Sequence, residues 1–178
     1  TRHIKCCSVL VFDHTIRAAD EEIVRKCNVR QPVRAVHNDY TEKSAFQRVR
    51  DLLDEDEAEK VLENRFAIVQ LWRPINNVES DPLAICDGRT IPEEGFIAME
   101  RRYPYRTAEV YHISYNEHHK WIYFPKMTRN EVLIFKVFDT DLTAGVRFTA
   151  HSAFEDPSSS PNAKPRESIE FRALAFFE

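Results

Sequence analysis

The stretch GVRFTAHSAFEDPSSSPNAKPRESIEFRALAFF, residues 145–177, decides the fold. It reads as two extended segments, GVRFTAHSAF and ESIEFRALAFF, separated by EDPSSSPNAKPR, an exposed loop of Ser, Pro, Asn and charged residues. Strand, polar turn and strand form a unit that recurs outward along the chain.

Moving toward the N-terminus, EVLIFKVFDTD reads as a strand, and AEVYHISYNEHHKWIYFP reads as a hairpin turning near Asn116. PLAICDGRTI is extended, RFAIVQLWRPI is a buried strand stopped by Pro74, and VRAVHNDYT is another strand. CCSVLVFDHTIR carries a strand with Val9, Leu10, Val11 and Phe12 as its apolar run, and EEIVRKCNVRQP is a short helix or loop ending before Pro32. The one long periodic segment is EKSAFQRVRDLLDEDEAEKVLEN, with apolar residues at 45, 46, 49, 52, 53, 58, 61 and 62. That spacing is helical, and Thr41 is positioned to cap it. With 3 Gly against 9 Pro, turns rest on Pro, Asn and Asp. Many short strands with one or two supporting helices predict a mainly β fold, a sandwich or barrel of the jelly-roll kind.

The 178 residues, 43% of them hydrophobic, suffice to bury one core, so residues 1–178 are expected to form a single domain. A net charge of -4 points to neither a nucleic-acid nor a membrane partner. No apolar run reaches the ~18 residues of a membrane span. Cys6, Cys7, Cys27 and Cys86 show no CxxC spacing and read as free thiols, which places the chain in a reducing, cytoplasmic setting.

VRAVHNDYTEKSAF, residues 33–46, puts His37 and Asp39 two apart on a strand, where residues i and i+2 face the same way. Asp is depleted from strands and seldom buried without a partner. One imidazole and one carboxylate on a common face are two of the three ligands of a 2-His-1-carboxylate centre, which holds non-haem iron(II) and keeps positions open. His151 lies on a late strand, and Arg166 and Ser168 share a face of the strand that follows. A guanidinium beside a hydroxyl suits a carboxylate. HxD, a distant His and then RxS is the order of the iron(II)/2-oxoglutarate oxygenases. Glu170 and Arg172 also alternate onto the face of Arg166; they pair with each other, or a bulge shifts the phase.

A closer resemblance rests on VFDHTIR, PVRAVHNDYT, RVRDLL, LWRPI, PLAICDGRT, EVYHISYNEHHKWIYFPKM, VFDTD, RFTAHSAFEDP and PRESIEFRALAFF. The sequence resembles the hydroxylase/desaturase family that includes a cephalosporin methoxylase component and a fungal gibberellin desaturase. Glu117 and Ala150 stand where that family carries Pro, and family members have a further portion upstream of the first stretch. The resemblance implies a double-stranded β-helix with Fe(II) on His37, Asp39 and His151, and 2-oxoglutarate held by Arg166 and Ser168. It also implies dioxygen and a small-molecule secondary metabolite as substrates, with hydroxylation or desaturation of a C–H bond. Trp72, Arg73, Tyr115, His119 and Trp121 are candidates for the substrate pocket. A catalytically idle jelly-roll binding module is the alternative. A barrel enzyme using its metal without 2-oxoglutarate is disfavoured by the intact RxS. Substrate identity and oligomeric state are not legible in the sequence.

Overall fold

In the computed structural model the described residues are 6–104 and 106–177. Ten strands form two sheets. β1 (Ser8–Ala18), β3 (Phe66–Pro74), β8 (Leu133–Asp139) and β10 (Glu167–Phe176) make a four-stranded sheet in the order β1-β10-β3-β8. β2 (His37–Asn38), β4 (Leu83–Cys86), β5 (Phe96–Tyr103), β6 (Arg106–Ile113), β7 (Trp121–Tyr123) and β9 (His151–Ala153) make the second, in the order β5-β6-β2-β9-β4-β7. The strand pairings are antiparallel, and the interleaved order, with sequence-distant strands side by side, is that of a jelly roll.

The core lies between the sheets. β3 alternates Phe66, Ile68 and Trp72 into it, where they meet Phe135, Val137 and Phe138 of β8 and Leu174 of β10. Three α-helices are described: α1 (Glu21–Cys27), α2 (Glu42–Leu52) and α3 (Glu55–Leu62). The single long helix of the sequence reading is two helices. Leu53 and Asp54 take extended backbone, which lets Ala58 of α3 face the same core that Ala45 and Val49 of α2 face. Thr41 caps α2 as expected. Its Oγ1 accepts from Ser44 N at 3.1 Å, Ser44 Oγ accepts from Thr41 N at 2.9 Å, and Thr41 Oγ1 donates to Glu109 of β6 at 2.7 Å.

Two further expectations change. The segment around Asn116 turns, with His119 N donating to Asn116 O at 3.2 Å, but its flanks are not a hairpin. β6 pairs with β5 and β2, β7 pairs with β4, and β2, β9 and β4 lie between them. The hairpin is β5–β6, whose first strand, rich in charge, does not carry the apolar pattern of a strand in its sequence. The HxD segment is strand only over His37–Asn38. No bulge shifts β10, whose register with β3 runs unbroken from Ser168↔Pro74 to Phe176↔Phe66. In the β1–β10 ladder the register shift is on β1, between Val11 and Asp13, and another falls in the β3–β8 ladder between Ile68 and Val69.

Candidate active site

His37 stands in a row of side chains that crosses the second sheet. Register aligns it with His112 of β6 on one side and His151 of β9 on the other, and His151 is aligned with Ile85 of β4. Register partners share a face, so the two histidines come from strands adjacent in space and far apart in sequence. Their rings lie 4.5 Å apart between centroids. Asp39, two residues beyond His37, turns onto the same side.

Asn38 locks this segment. It is fully buried between the two HxD side chains, and its Nδ2 donates to Tyr40 O at 2.7 Å and Val137 O at 2.8 Å. Its Oδ1 accepts from Thr149 N at 3.2 Å. One amide thus ties β2 to β8 and to the segment that leads into β9, which explains how a two-residue strand holds its place.

The imidazoles are oriented from behind. His37 Nδ1 donates to Ala35 O at 2.8 Å, and His151 Nδ1 donates to Thr149 O at 3.0 Å. A carbonyl can only accept, so each neutral ring carries its proton on Nδ1 and its lone pair on Nε2. Those Nε2 atoms face Asp39, at 3.7 Å from Oδ1 for His37 and 4.0 Å from Oδ2 for His151. One ligand atom from each of the three residues falls within 4.8 Å of the others, a set that could hold a metal ion. Burial, with His151 adding to it, pushes His37 down to about 4, so the ring is neutral near pH 7. Burial opposes the charge on Asp39, but Arg172 and the two imidazoles outweigh it and hold the carboxyl well below the usual carboxylate range. Two imidazoles that turn Nε2 inward and one ionised carboxylate form the donor set of a non-haem iron(II) centre.

Ser168 stands on the inner face of β10, and Arg166, one residue before that strand begins, is buried with it; they are 1% and 2% exposed. Arg166 lies over the ring of Trp72 at 5.4 Å and donates from Nη1 to Asp81 O at 2.6 Å. Its Nε and the Ser168 hydroxyl are buried without a hydrogen-bond partner. Burial pushes the guanidinium down to about 10. Buried polar groups are nearly always satisfied, so two orphaned donors on one face mark a place suited to an anionic group.

Of the two alternatives for Glu170 and Arg172, the structure shows the pair, Nη2 donating to Oε1 at 2.9 Å. What the sequence reading missed is that Arg172 Nε also donates to Asp39 Oδ2, at 3.0 Å. The alternation of β10 was the available signal. His112 was missed as well, because only strand register shows it beside His37. A cleft of about 810 Å³, bordered by α2 and β6, opens onto His37, Asp39, Arg17 and Arg172.

The five substrate-pocket candidates are scattered. Trp72 is buried beneath Arg166. Arg73 is on the opposite face of β3, its Nε donating to Arg129 O at 2.6 Å. Tyr115 is 90% exposed. Trp121 is in register with Cys86, so Ile122, aligned with Ile85, is the β7 residue on the His151 face. His119 is half-buried with its Nε2 unpartnered. None of the five lines the cleft.

A protein-family model described as an oxidoreductase/YMDC permease-like domain matches residues 2–176. The hydroxylase/desaturase efuI of Hormonema carpetanum is 32% identical over 176 residues, covering 93% of this chain and 59% of that protein. The Fe(II)/2-oxoglutarate-dependent dioxygenase nvfI of Aspergillus novofumigatus is 38% identical over 149 residues, covering 82% and 53%. A solved structure of the iron and alpha-ketoglutarate-dependent endoperoxidase NvfI superposes with a TM-score of 0.88 at 32% identity, over 97% of this chain and 63% of that one. The chain thus spans between 53% and 63% of the length of these relatives.

Proposed function

The chain belongs to this oxidoreductase family, whose members named above include a hydroxylase/desaturase and an Fe(II)/2-oxoglutarate-dependent dioxygenase, and from that premise we propose that it is an Fe(II)- and 2-oxoglutarate-dependent oxygenase. It would hydroxylate or desaturate a small-molecule secondary metabolite, within a single jelly-roll domain. One observation carries the reading: the Nε2 atoms of His37 and His151 converge on the carboxylate of Asp39.

Bound together, Fe(II) and 2-oxoglutarate supply dioxygen activation and the oxidising equivalents for C–H cleavage. The residues of the chain orient and exclude. Ala35 O and Thr149 O fix the tautomers that aim Nε2 at the ion. Arg166 and Ser168 offer their unpartnered donors to the distal carboxylate of 2-oxoglutarate. Trp72, under the guanidinium, keeps water from that end. The cleft beside α2 brings a small molecule to His37 and Asp39. Four free cysteines favour a reducing, cytoplasmic setting.

The test is an anaerobic titration with Fe(II) and 2-oxoglutarate, following the weak visible charge-transfer band of the chelate. The band is expected in the wild type, and Arg166→Ala is expected to need at least ~10-fold more 2-oxoglutarate, the effect of losing a charge-assisted contact. Iron binding without a band would remove the cosubstrate from the reading. A folded chain that binds no iron would leave the idle binding module as the account.

A further inference from the structure

The inner face of β10 continues past Ser168 to Glu170 and Arg172, both buried. Arg172 uses its whole fork. Nε donates to Asp39 Oδ2 at 3.0 Å, Nη1 to Asp13 Oδ2 at 2.9 Å and Nη2 to Glu170 Oε1 at 2.9 Å. Glu170 is held in turn, its Oε1 by Arg17 Nε at 3.2 Å and Nη2 at 2.8 Å, its Oε2 by Gln70 Nε2 at 3.4 Å. A planar guanidinium bonded to three carboxylates at once cannot swing away, and a Lys ammonium could not reproduce that geometry.

The consequence falls on Asp39. Both oxygens face an imidazole, Oδ1 at 3.7 Å from His37 Nε2 and Oδ2 at 4.0 Å from His151 Nε2, and what tells them apart is that Oδ2 accepts from Arg172. We propose that Arg172 is a positioning residue that reserves Oδ2, so that Asp39 ligates the ion through Oδ1 alone. The inference rests on the Fe(II) reading of the triad and deepens it. With one ligand atom from each of the three residues, an ion held here would keep positions open for 2-oxoglutarate and dioxygen. A carboxylate binding through both oxygens would occupy one of them. The Arg17–Glu170 pair is the brace that keeps Arg172 aimed.

The test is infrared difference spectroscopy of the chain with and without Mn(II), which separates one-oxygen from two-oxygen carboxylate binding by the splitting of the stretching bands. Bands that vanish in Asp39→Ala are those of Asp39. The wild type is expected to show the wide splitting of one-oxygen binding. In Arg172→Gln the splitting is expected to narrow, and Mn(II) affinity to fall about 10- to 100-fold, as when other supports of metal ligands are lost. Arg172→Lys, which keeps the charge but not the fork, is expected to narrow it too. A role in folding alone would lower the melting temperature and leave the splitting wide. Wide splitting in a folded Arg172→Gln or Arg172→Lys overturns the inference. If neither variant folds, the wild type decides alone, and a narrow splitting there overturns it. Absence of any Mn(II)-dependent Asp39 band in the wild type overturns the Fe(II) reading and this inference with it.

Discussion

At the scale of single residues, Asn38 is the side chain on which the candidate site depends without being part of it. Its amide satisfies Tyr40 O, Val137 O and Thr149 N in a fully buried place. Asn38→Ala would remove three hydrogen bonds from a buried place, at about 1–3 kcal/mol for each polar group that water cannot reach. The expected result is a loss of several kcal/mol in urea unfolding together with weaker Fe(II) binding, since Thr149 also holds His151 through its carbonyl. Unchanged Fe(II) affinity in a folded variant would sever Asn38 from the site. How much was legible differs residue by residue. HxD, His151 and RxS were readable because alternation and order are properties of the chain. Asn38 was not, because its partners lie on β8 and before β9, and the residue between two candidate ligands reads as filler. Arg172 was half-legible: its face followed from alternation, its partner Asp39 did not. The scatter of Trp72, Arg73, Tyr115, His119 and Trp121 has the same origin, since an aromatic or basic residue near a strand end does not announce its face.

At the scale of elements, α2 is joined to the second sheet by its first turn. The Thr41 hydroxyl accepts from Ser44 N and donates to Glu109 of β6, and Ser44 Oγ donates to Glu109 O at 2.6 Å. Thr41→Ala removes a cap and a cross-element bond together and is expected to cost about 1–2 kcal/mol, read as a shift of the urea midpoint with an unchanged slope. Thr41→Ser, which keeps the hydroxyl, is expected to stay close to wild type; equal losses in both variants would rule out the cap as the cause. The cap was visible in the sequence because it is local chemistry. The break at Leu53–Asp54 was not, since both halves carry the same helical period and only the shared core sets where the second must turn back. The false hairpin around Asn116 fails for a related reason. Turn residues show that the chain bends, while pairing depends on which strands arrive between.

At the scale of the whole molecule, the buried triad couples stability to pH. In the metal-free chain His37 takes up a proton near 6.5 when unfolded and only near 4 when folded. Across that window the unfolded state binds more protons, so stability is greatest above about pH 6.5 and declines as pH falls toward 4, by roughly 3 kcal/mol from this group. Asp39, depressed in the fold, adds a further loss below the usual carboxylate range. Urea unfolding at pH 7 and pH 5 in the presence of a chelator is expected to show the decline, and His37→Gln to flatten it; a wild type equally stable at both values would contradict the assignment.

The shortness of the strands under the site has one more consequence. His37 and His151 sit on strands of two and three residues, whereas β10 and β3 run ten and nine. Cooperative melting is governed by the long strands and the aromatic core between the sheets, while short ladders belong to the low end of the range of local opening energies. The segment that carries His37 and Asp39 can therefore open while the four-stranded sheet stays closed, and its order rests on side-chain locks more than on ladder bonds. A variant that damages those locks can keep a normal far-ultraviolet spectrum and a sharp transition, so integrity of the fold and readiness of the site are separate quantities in this protein.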